Sequence, residues 1–196
     1  MVTTNPMRML AAAGIGFEAR EYQYDESDLS GVHAAAELGL DPDCTFKTLV
    51  LRGDKNGLFV CCIPVGEEVD LKKAAVISGN KKAEMIHVKE LPVLTGYIRG
   101  GCSPIGMKKQ LPTYIEETAQ LFDRIAVSAG IRGQMLLLDP EDPAESLDQQ
   151  LKRGNDALYR ATLTRTRLVY ADGGEETLQA LEQLGYSCLT PDMDRT

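Results

Sequence analysis

A hairpin between residues 45 and 65 constrains the fold more than any other feature of the sequence. Two largely apolar runs, residues 45–52 and 57–65, flank the turn Asp54-Lys55-Asn56-Gly57. Asn-Gly between two such runs is a strong hairpin signal, because Asn and Gly tolerate the positive φ angles of a tight turn. The sequence therefore predicts two antiparallel strands joined at this turn.

The first strand of this hairpin carries a lysine inside its apolar run, Phe46-Lys47-Thr48-Leu49-Val50-Leu51. With the two-residue period of a strand, Lys47 shares a face with Thr45, Leu49 and Leu51. A lysine on an apolar face extends to water, pairs with a carboxylate or faces a cavity. Two interpretations follow: a strand-end lysine that curls into solvent, or a cation that holds a carbonyl, carboxylate or phosphate oxygen.

A second unusual segment is the loop Gly100-Gly101-Cys102-Ser103-Pro104-Ile105-Gly106. Its glycines permit positive φ and close approach of backbone to a ligand, and successive N–H groups there can bind an anion. A purely structural turn is the alternative. Cys102 and Ser103 could serve as nucleophiles, but neither His33 nor His87 lies in a motif that would supply a base, so nucleophilic catalysis is not favoured.

The remaining sequence predicts an α/β domain with a mixed β-sheet or curled barrel flanked by helices. Further helices are predicted over residues 5–15, 31–40, 70–77, 88–94 and 139–152. Further strands are predicted over residues 17–24, 82–87, 96–101, 113–116, 124–128 and 134–138. Residues 1–152 form the main domain in this interpretation. Residues 153–196 form a small C-terminal β-α-β appendage of unknown role, with strands over 165–171 and 186–189 and a helix over 174–184.

Charge and composition limit the partners. The net charge of the 196 residues is −8, which would ordinarily count against nucleic acid, yet residues 47–109 carry 11 Lys and Arg against 6 Asp and Glu. We expect no DNA partner. This basic segment, bracketed by Lys47 and the glycine loop, either holds solvated lysines by chance or binds an anionic polymer with few phosphate contacts. No apolar run is long enough for a membrane helix, and no signal peptide is visible.

The cysteines and glycines argue against common cofactor sites. The number of cysteines, 5, is odd and no CxxC pair occurs, which argues against a disulfide framework and a zinc site and favours a reducing cytoplasm. A GxGxxG fingerprint is also absent, so a dinucleotide fold is not expected. We expect no cofactor.

Taken in order, the sequence motifs resemble the YbaK branch of the YbaK/ProX aminoacyl-tRNA deacylases over about residues 3–150. The segments that carry the resemblance include Glu37-Leu38-Gly39-Leu40-Asp41-Pro42, Phe46-Lys47-Thr48-Leu49, Gly96-Tyr97, the 100–106 loop, Lys108-Lys109 and Val127-Ser128-Ala129-Gly130-Ile131-Arg132-Gly133. The resemblance implies a YbaK-like fold. It also implies trans-editing, the hydrolysis of a mischarged aminoacyl-tRNA, typically Cys-tRNA(Pro), after the synthetase releases it. A prolyl- or cysteinyl-tRNA synthetase is the implied protein partner.

The resemblance also assigns roles to individual residues. Lys47 matches a lysine that orients the aminoacyl end, and Gly101, Cys102 and Ser103 match the loop whose backbone lines the reacting carbonyl. The matching substrate-binding residues are Tyr22, Thr48, Ser128 and Arg132. One difference from the family is that Met135 stands where some members have an aspartate.

In the YbaK branch the thiol of the substrate is proposed to attack its own ester. The resemblance thus implies a protein that binds and orients the substrate without a nucleophile of its own. Two alternatives stay open: deacylation of an alanyl or seryl ester through activated water, and a non-catalytic module that binds tRNA or a synthetase.

Overall fold

A computed structural model describes residues 1–138 and three short stretches, 158–161, 168–170 and 187–189. The helices are α1 (Asn5–Ala12), α2 (Gly31–Leu38), α3 (Leu71–Ile77) and α4 (Leu91–Thr95), with 3-10 turns at Val88–Glu90 and Glu117–Leu121. The strands are β1 (Phe17–Glu21), β2 (Phe46–Gly53), β3 (Gly57–Pro64), β4 (Ala83–Met85), β5 (Thr113–Glu116), β6 (Ile125–Ser128), β7 (Gln134–Leu138), β8 (Leu158–Ala161), β9 (Leu168–Tyr170) and β10 (Ser187–Leu189). The predicted mixed α/β class is confirmed.

Two sheets form the body of the fold. The larger has the order β4-β2-β3-β5-β8, with β2 antiparallel to β3 and β4, and β5 parallel to β3 and β8. The smaller is antiparallel with the order β1-β7-β6. A parallel bridge between Thr45 and Ala126 links the two sheets, but the described strands do not close into a barrel, so the barrel alternative is wrong for this part of the chain.

The predicted hairpin is confirmed as β2–β3. Gly53 pairs with Gly57 across the turn, and Gly57 has φ +75°, a value that glycine adopts without strain. The side-chain oxygen of Asn80 accepts hydrogen bonds from the backbone N–H groups of Lys55 and Asn56 at 2.9 and 2.8 Å. A residue distant in sequence therefore fixes the turn that local signals predicted.

Alternation along β3 places successive side chains in two different cores. Val60 and Cys62 pack into the main core, which α1 and the smaller sheet complete. Phe59, Cys61 and Ile63 pack on the opposite face with Leu51 and with Ala74 of α3. The five-stranded sheet is thus covered on both faces, which holds β2, and with it Lys47, in a rigid position.

The strand predicted over residues 96–101 is wrong. Gly96 has φ +85° and ends α4, and Gly100 has φ +82° inside a turn closed by the Gly101 N–H and the Ile98 carbonyl at 3.0 Å. Two left-handed glycines four positions apart, together with this turn, prevent an extended strand. The segment instead leads α4 into the glycine loop.

The C-terminal region is described only in part. The parallel pair β9–β10 agrees with the predicted strands of a β-α-β unit. The helices predicted over 139–152 and 174–184 lie outside the described residues. Strand β8 was not predicted, and it joins the larger sheet beside β5. The division of the chain into a main domain, 1–152, and an appendage, 153–196, stays a prediction. None of the described helices has the length and apolar character that crossing a membrane requires.

Candidate active site

Five of the eight predicted site residues line one cavity of about 360 Å³. The cavity lies between β2, the start of α2 and the entry to the glycine loop, and its size falls within the usual range for small-ligand sites. The five are Tyr22, Lys47, Thr48, Cys102 and Ser128. Gly101, Ser103 and Arg132 are not part of the lining. The structure therefore brings most of the predicted residues together, although they lie more than 100 positions apart in the sequence.

Lys47 is half-buried at the wall of this cavity. Its Nζ donates a hydrogen bond to the backbone carbonyl of Val65, the residue after β3, at 2.9 Å. Burial lowers the pKa of the Lys47 ammonium, an effect that the nearby carboxylates of Glu68 and Glu67 oppose. The side chain is thus anchored by one of its three donors, and it does not extend freely into solvent.

The glycine loop presents backbone donors beside the cavity. The amide of Gly101 is used within the turn, whereas the amides of Cys102 and Ser103 donate to no atom of the part of the chain that the structure describes. Both residues are buried. Buried N–H groups are rarely left without a partner in folded proteins, so this pair suits an oxygen that a ligand would supply.

The side chains of Cys102 and Ser103 have other roles. Ser103 accepts a hydrogen bond from the amide of Ile105 through its Oγ at 3.2 Å, which shapes the loop. Burial raises the pKa of the Cys102 thiol to about 12. Since the thiolate is the nucleophilic form, a thiol with so high a pKa is nearly inert at neutral pH.

Tyr97 and Asn5 hold the far end of the glycine loop. The Tyr97 hydroxyl donates to the Ile105 carbonyl at 2.6 Å, and the Asn5 side-chain amide donates to the Gly106 carbonyl at 3.1 Å. Neither residue was predicted to act at the site. Gly96-Tyr97 is one of the motifs that carry the family resemblance, but the sequence pattern around Tyr97 did not indicate that this residue supports the loop.

Arg132 joins the glycine loop to the turn that follows β6. Its Nε donates to the Arg99 carbonyl at 3.0 Å, and its Nη1 lies 3.4 Å from a carboxylate oxygen of Glu26. Gly101 packs against the same turn, where an added Cβ would lie 3.0 Å from the Arg132 amide nitrogen. The guanidinium therefore supports the loop from outside the cavity, and a direct contact with substrate stays a prediction.

The other predicted residues form the walls. Burial raises the pKa of the Tyr22 phenol, and a backbone hydrogen bond from Gly133 opposes this shift. Ser128 Oγ accepts from the Gly130 amide at 3.2 Å, and Thr48 Oγ1 lies 4.0 Å from Cys62 Sγ. Apolar side chains complete the lining. Phe46, Val50, Ile86 and Leu91 were not predicted as site residues, whereas Met135 stands where some members of the family have an aspartate.

The charged and titratable groups of the lining are few. Within the described residues they are Tyr22, Lys47, Arg99 and Cys102, and no carboxylate or imidazole is among them. The described histidines, cysteines and acidic residues also form no group that could hold a metal ion. This arrangement can bind and polarise a carbonyl or an oxyanion, but its described part offers no evident general base.

The sequence model of the aminoacyl-tRNA editing domain matches residues 29–145, which contain all of the eight predicted site residues except Tyr22. The chain belongs to the aminoacyl-tRNA editing family. The resemblance to aminoacyl-tRNA deacylases is therefore confirmed, and the protein is an editing enzyme that acts on aminoacyl-tRNA.

Two bacterial proteins are similar to this chain in sequence, and the name of one agrees with membership of the editing family. The chain is 51% identical over 138 residues to a protein of Enterococcus faecalis (strain ATCC 700802 / V583) named "Putative Cys-tRNA(Pro)/Cys-tRNA(Cys) deacylase EbsC", covering 70% of this chain and 84% of the relative. It is 24% identical over 123 residues to YwhH, an uncharacterized protein of Bacillus subtilis (strain 168), covering 63% and 78%.

A solved structure supports the fold. "Crystal structure of a putative trans-editing enzyme for prolyl tRNA synthetase" aligns with a TM-score of 0.65 and 23% identity, covering 81% of this chain and 93% of that chain. At this identity the likeness concerns the fold, which agrees with the predicted YbaK-like architecture.

Proposed function

We propose that this protein removes cysteine from mischarged tRNA, with Cys-tRNA(Pro) as the main substrate, through attack by the substrate's own thiol. The observation that carries the proposal is the composition of the cavity: Lys47 and Cys102 line it, and its described lining has no carboxylate or imidazole. The amides of Cys102 and Ser103 donate to no atom of the described residues. Such a site suits a substrate that brings its own nucleophile. The name of the Enterococcus relative agrees with this substrate.

The proposed reaction needs only orientation and charge stabilisation from the protein. The cysteine sulfur forms a bond to its own ester carbonyl, the bond to the tRNA ribose oxygen breaks, and the thiol proton ends on that oxygen. The products are a thiolactone and free tRNA, and water then opens the thiolactone to cysteine. Lys47 and the loop amides stabilise the carbonyl oxygen as it becomes negative, where removal of a single donor typically costs about 3–4 kcal/mol.

The energetics favour a site of this kind. A free thiol with a pKa of about 8.5 is only a few per cent ionised at neutral pH. Holding it against the carbonyl compensates, because well-oriented intramolecular attack can lower a barrier by roughly 7–11 kcal/mol. The apolar walls at Phe46, Val50 and Ile86 supply the confinement that such orientation requires.

A thiol-blocking experiment tests the proposal. Cys-tRNA(Pro), its S-methylated form, Ala-tRNA(Pro) and correctly charged Pro-tRNA(Pro) are incubated with the protein, and the remaining ester is measured over time. We expect rapid loss of the cysteinyl ester alone. Hydrolysis of the S-methylated ester at an undiminished rate would overturn thiol attack, and hydrolysis of Ala-tRNA(Pro) instead would favour the water route.

The proposal includes action in trans, in the cytoplasm, on tRNA released by a prolyl- or cysteinyl-tRNA synthetase. A synthetase pocket separates side chains of similar size by only about 10- to 200-fold, so a second site must remove the errors. Adding the synthetase to the deacylation assay tests the partnership. A higher kcat/KM in its presence is expected, and an unchanged value would argue for action without a complex.

A further inference from the structure

Gly31, the first residue of α2, lies so close to Val65 that position 31 has no room for a side chain. A Cβ at Gly31 would lie 2.2 Å from Cγ1 and 2.8 Å from Cβ of Val65, and Cβ atoms in proteins essentially never come closer than 3.0 Å to a non-bonded atom. The φ angle of Gly31 is not positive, so its backbone would accept another residue. Position 31 therefore requires glycine because of the neighbouring side chain alone.

Rotation of the Val65 side chain cannot relieve this contact. A change in χ1 moves the two methyl groups, but the Cβ atom of Val65 moves only with the backbone. Val65 is also 5% exposed, so other atoms surround its side chain. A larger residue at position 31 must therefore displace the backbone of α2 or that of Val65.

The start of α2 is the more firmly held of the two. The Ser30 side chain caps the helix, and Ala34 and Ala35 bury its inner face with exposures of 4% and 0%. Val65, in contrast, lies in a turn beside the exposed Gly66. We therefore expect Val65 to move when a Cβ is added at position 31.

Val65 also carries the acceptor that orients Lys47. Its amide donates to the Thr45 carbonyl at 2.8 Å, and its carbonyl accepts from Lys47 Nζ at 2.9 Å. A shift of Val65 would therefore move the acceptor that holds the ammonium. Gly31, Val65 and Lys47 all line the cavity of the candidate active site.

We propose that Gly31 is a positioning residue for Lys47: because it leaves room for Val65, the Val65 carbonyl stays where it orients the ammonium. This inference rests on the proposed function, in which Lys47 stabilises the carbonyl oxygen of the substrate. Gly31 acts through Val65 and touches no reacting atom. A displacement of about 1 Å at a site of this kind can cost about 100-fold in rate.

Gly31→Ala adds one methyl group at the contact, and Gly66→Ala is its matched control. Gly66 follows Val65 directly, but a Cβ there would meet no atom within 4 Å, and its φ is not positive. We expect Gly31→Ala to lower kcat on Cys-tRNA(Pro) roughly 10- to 100-fold with little change in KM. Gly66→Ala is expected to keep the kcat of the wild type.

The dependence on Lys47 separates positioning from a general loss of structure. If Gly31 acts through Lys47, Gly31→Ala lowers kcat much less in a Lys47→Met background than in the wild type. Val65→Ala removes the methyl group that lies 2.2 Å from the added Cβ, so it is expected to restore part of the activity of Gly31→Ala. Equal losses in both backgrounds, or no rescue by Val65→Ala, would overturn the proposal.

Chemical labelling gives a readout that needs no enzymatic activity. Because Lys47 is half-buried and hydrogen-bonded, trace acetic anhydride is expected to acetylate it more slowly than the exposed Lys55. The ratio of Lys47 to Lys55 acetylation, measured by mass spectrometry, is expected to rise in Gly31→Ala and to stay unchanged in Gly66→Ala. An unchanged ratio in Gly31→Ala would overturn the positioning role.

Two further outcomes are covered by the same measurements. If circular dichroism shows that Gly31→Ala does not fold, Val65→Ala alone removes the contact from the other side. It is then expected to raise the labelling ratio and to lower kcat only where Lys47 is present, and no change in either would refute the proposal. If the wild type releases no cysteine from tRNA, the proposed function fails, while the labelling ratio still tests how Lys47 is positioned.

Discussion

The Lys47 ammonium donates a hydrogen bond to the Val65 carbonyl at 2.9 Å, so the residue after strand β3 fixes the position of the cation in the site. Because Phe46 pairs with Pro64 at the end of the β2–β3 ladder, the Val65 carbonyl lies just beyond the last pair. The carbonyl orients the cation and leaves its other two donors for a ligand. The position of Lys47 therefore depends on the register of the hairpin.

Replacing Lys47 tests its role as an orienting cation. Lys47→Met keeps much of the side-chain length but removes the charge and the donors, and we expect kcat for deacylation to fall roughly 100- to 1000-fold. Lys55→Ala, at the hairpin turn, is the matched control, since Lys55 does not line the cavity of the candidate active site. Equal rates for the wild type and Lys47→Met, measured on Cys-tRNA(Pro) with a correction for spontaneous hydrolysis, would exclude the role.

The pH dependence of the reaction separates a cationic lysine from a basic one. Burial lowers the pKa of Lys47 below its ordinary value of 10.5. If the ammonium stabilises the oxyanion, the enzyme-dependent rate falls as the pH rises through this lowered pKa. The profile is measured on the cysteinyl ester with the wild type and with Lys47→Met, because the ratio of their rates cancels the ionisation of the substrate thiol, which affects both. We expect this ratio to fall at alkaline pH, and a ratio that rises there would instead identify a general base.

Cys102 provides a test against covalent catalysis. Since burial raises the pKa of its thiol to about 12, we expect Cys102→Ala to retain deacylase activity within an order of magnitude. Removal of a true nucleophile costs far more, about 10⁶-fold in a well-studied protease. Trapping of an acylated protein by mass spectrometry during turnover, together with an inactive Cys102→Ala variant, would contradict this expectation.

The local parts of the fold could be predicted because their signals are short-range. The Asn56-Gly57 turn and the apolar alternation around it specify the hairpin, and Asp70, which accepts from the amides of Lys72 and Lys73, marks the start of α3. The strand predicted over residues 96–101 is absent because the positive φ angles at Gly96 and Gly100 decide the path of this segment.

The site could be predicted only through its chemically distinctive residues. Lys47 and the glycine loop stand out because a charge in an apolar run and a cluster of glycines are unusual locally. The supports of the loop, Tyr97 and Asn5, act through contacts whose partners lie 8 and 101 positions away. The longer of these contacts depends on tertiary packing, which no local pattern contains.

Tyr97 is expected to maintain the loop through its single hydroxyl group. The residue is 8% exposed, so Tyr97→Phe leaves the Ile105 carbonyl without its 2.6 Å donor in a buried place. We expect the free energy of unfolding in urea to fall by about 1–3 kcal/mol and kcat to fall with it. Tyr24→Phe, at a tyrosine that is 46% exposed, is expected to change neither. Unaltered stability and kcat in Tyr97→Phe would show that the contact does not position the loop.

Gly101 is expected to be essential because of what lies beside it and not because of its φ angle. A Cβ there would lie 3.0 Å from the Arg132 amide nitrogen and 3.0 Å from the Ile131 carbonyl carbon, and backbone atoms cannot move aside as a flexible side chain would. Gly101→Ala should therefore separate the loop from the turn after β6 and lower the free energy of unfolding by about 1–3 kcal/mol. It should also reduce kcat, because the Cys102 and Ser103 amides would move.

Gly16→Ala is the control, since a Cβ at Gly16 meets no atom within 4 Å and its φ is not positive. Thermal or urea unfolding and single-turnover deacylation measure the two effects, and a Gly101→Ala protein as stable and active as Gly16→Ala would refute the close-packing argument.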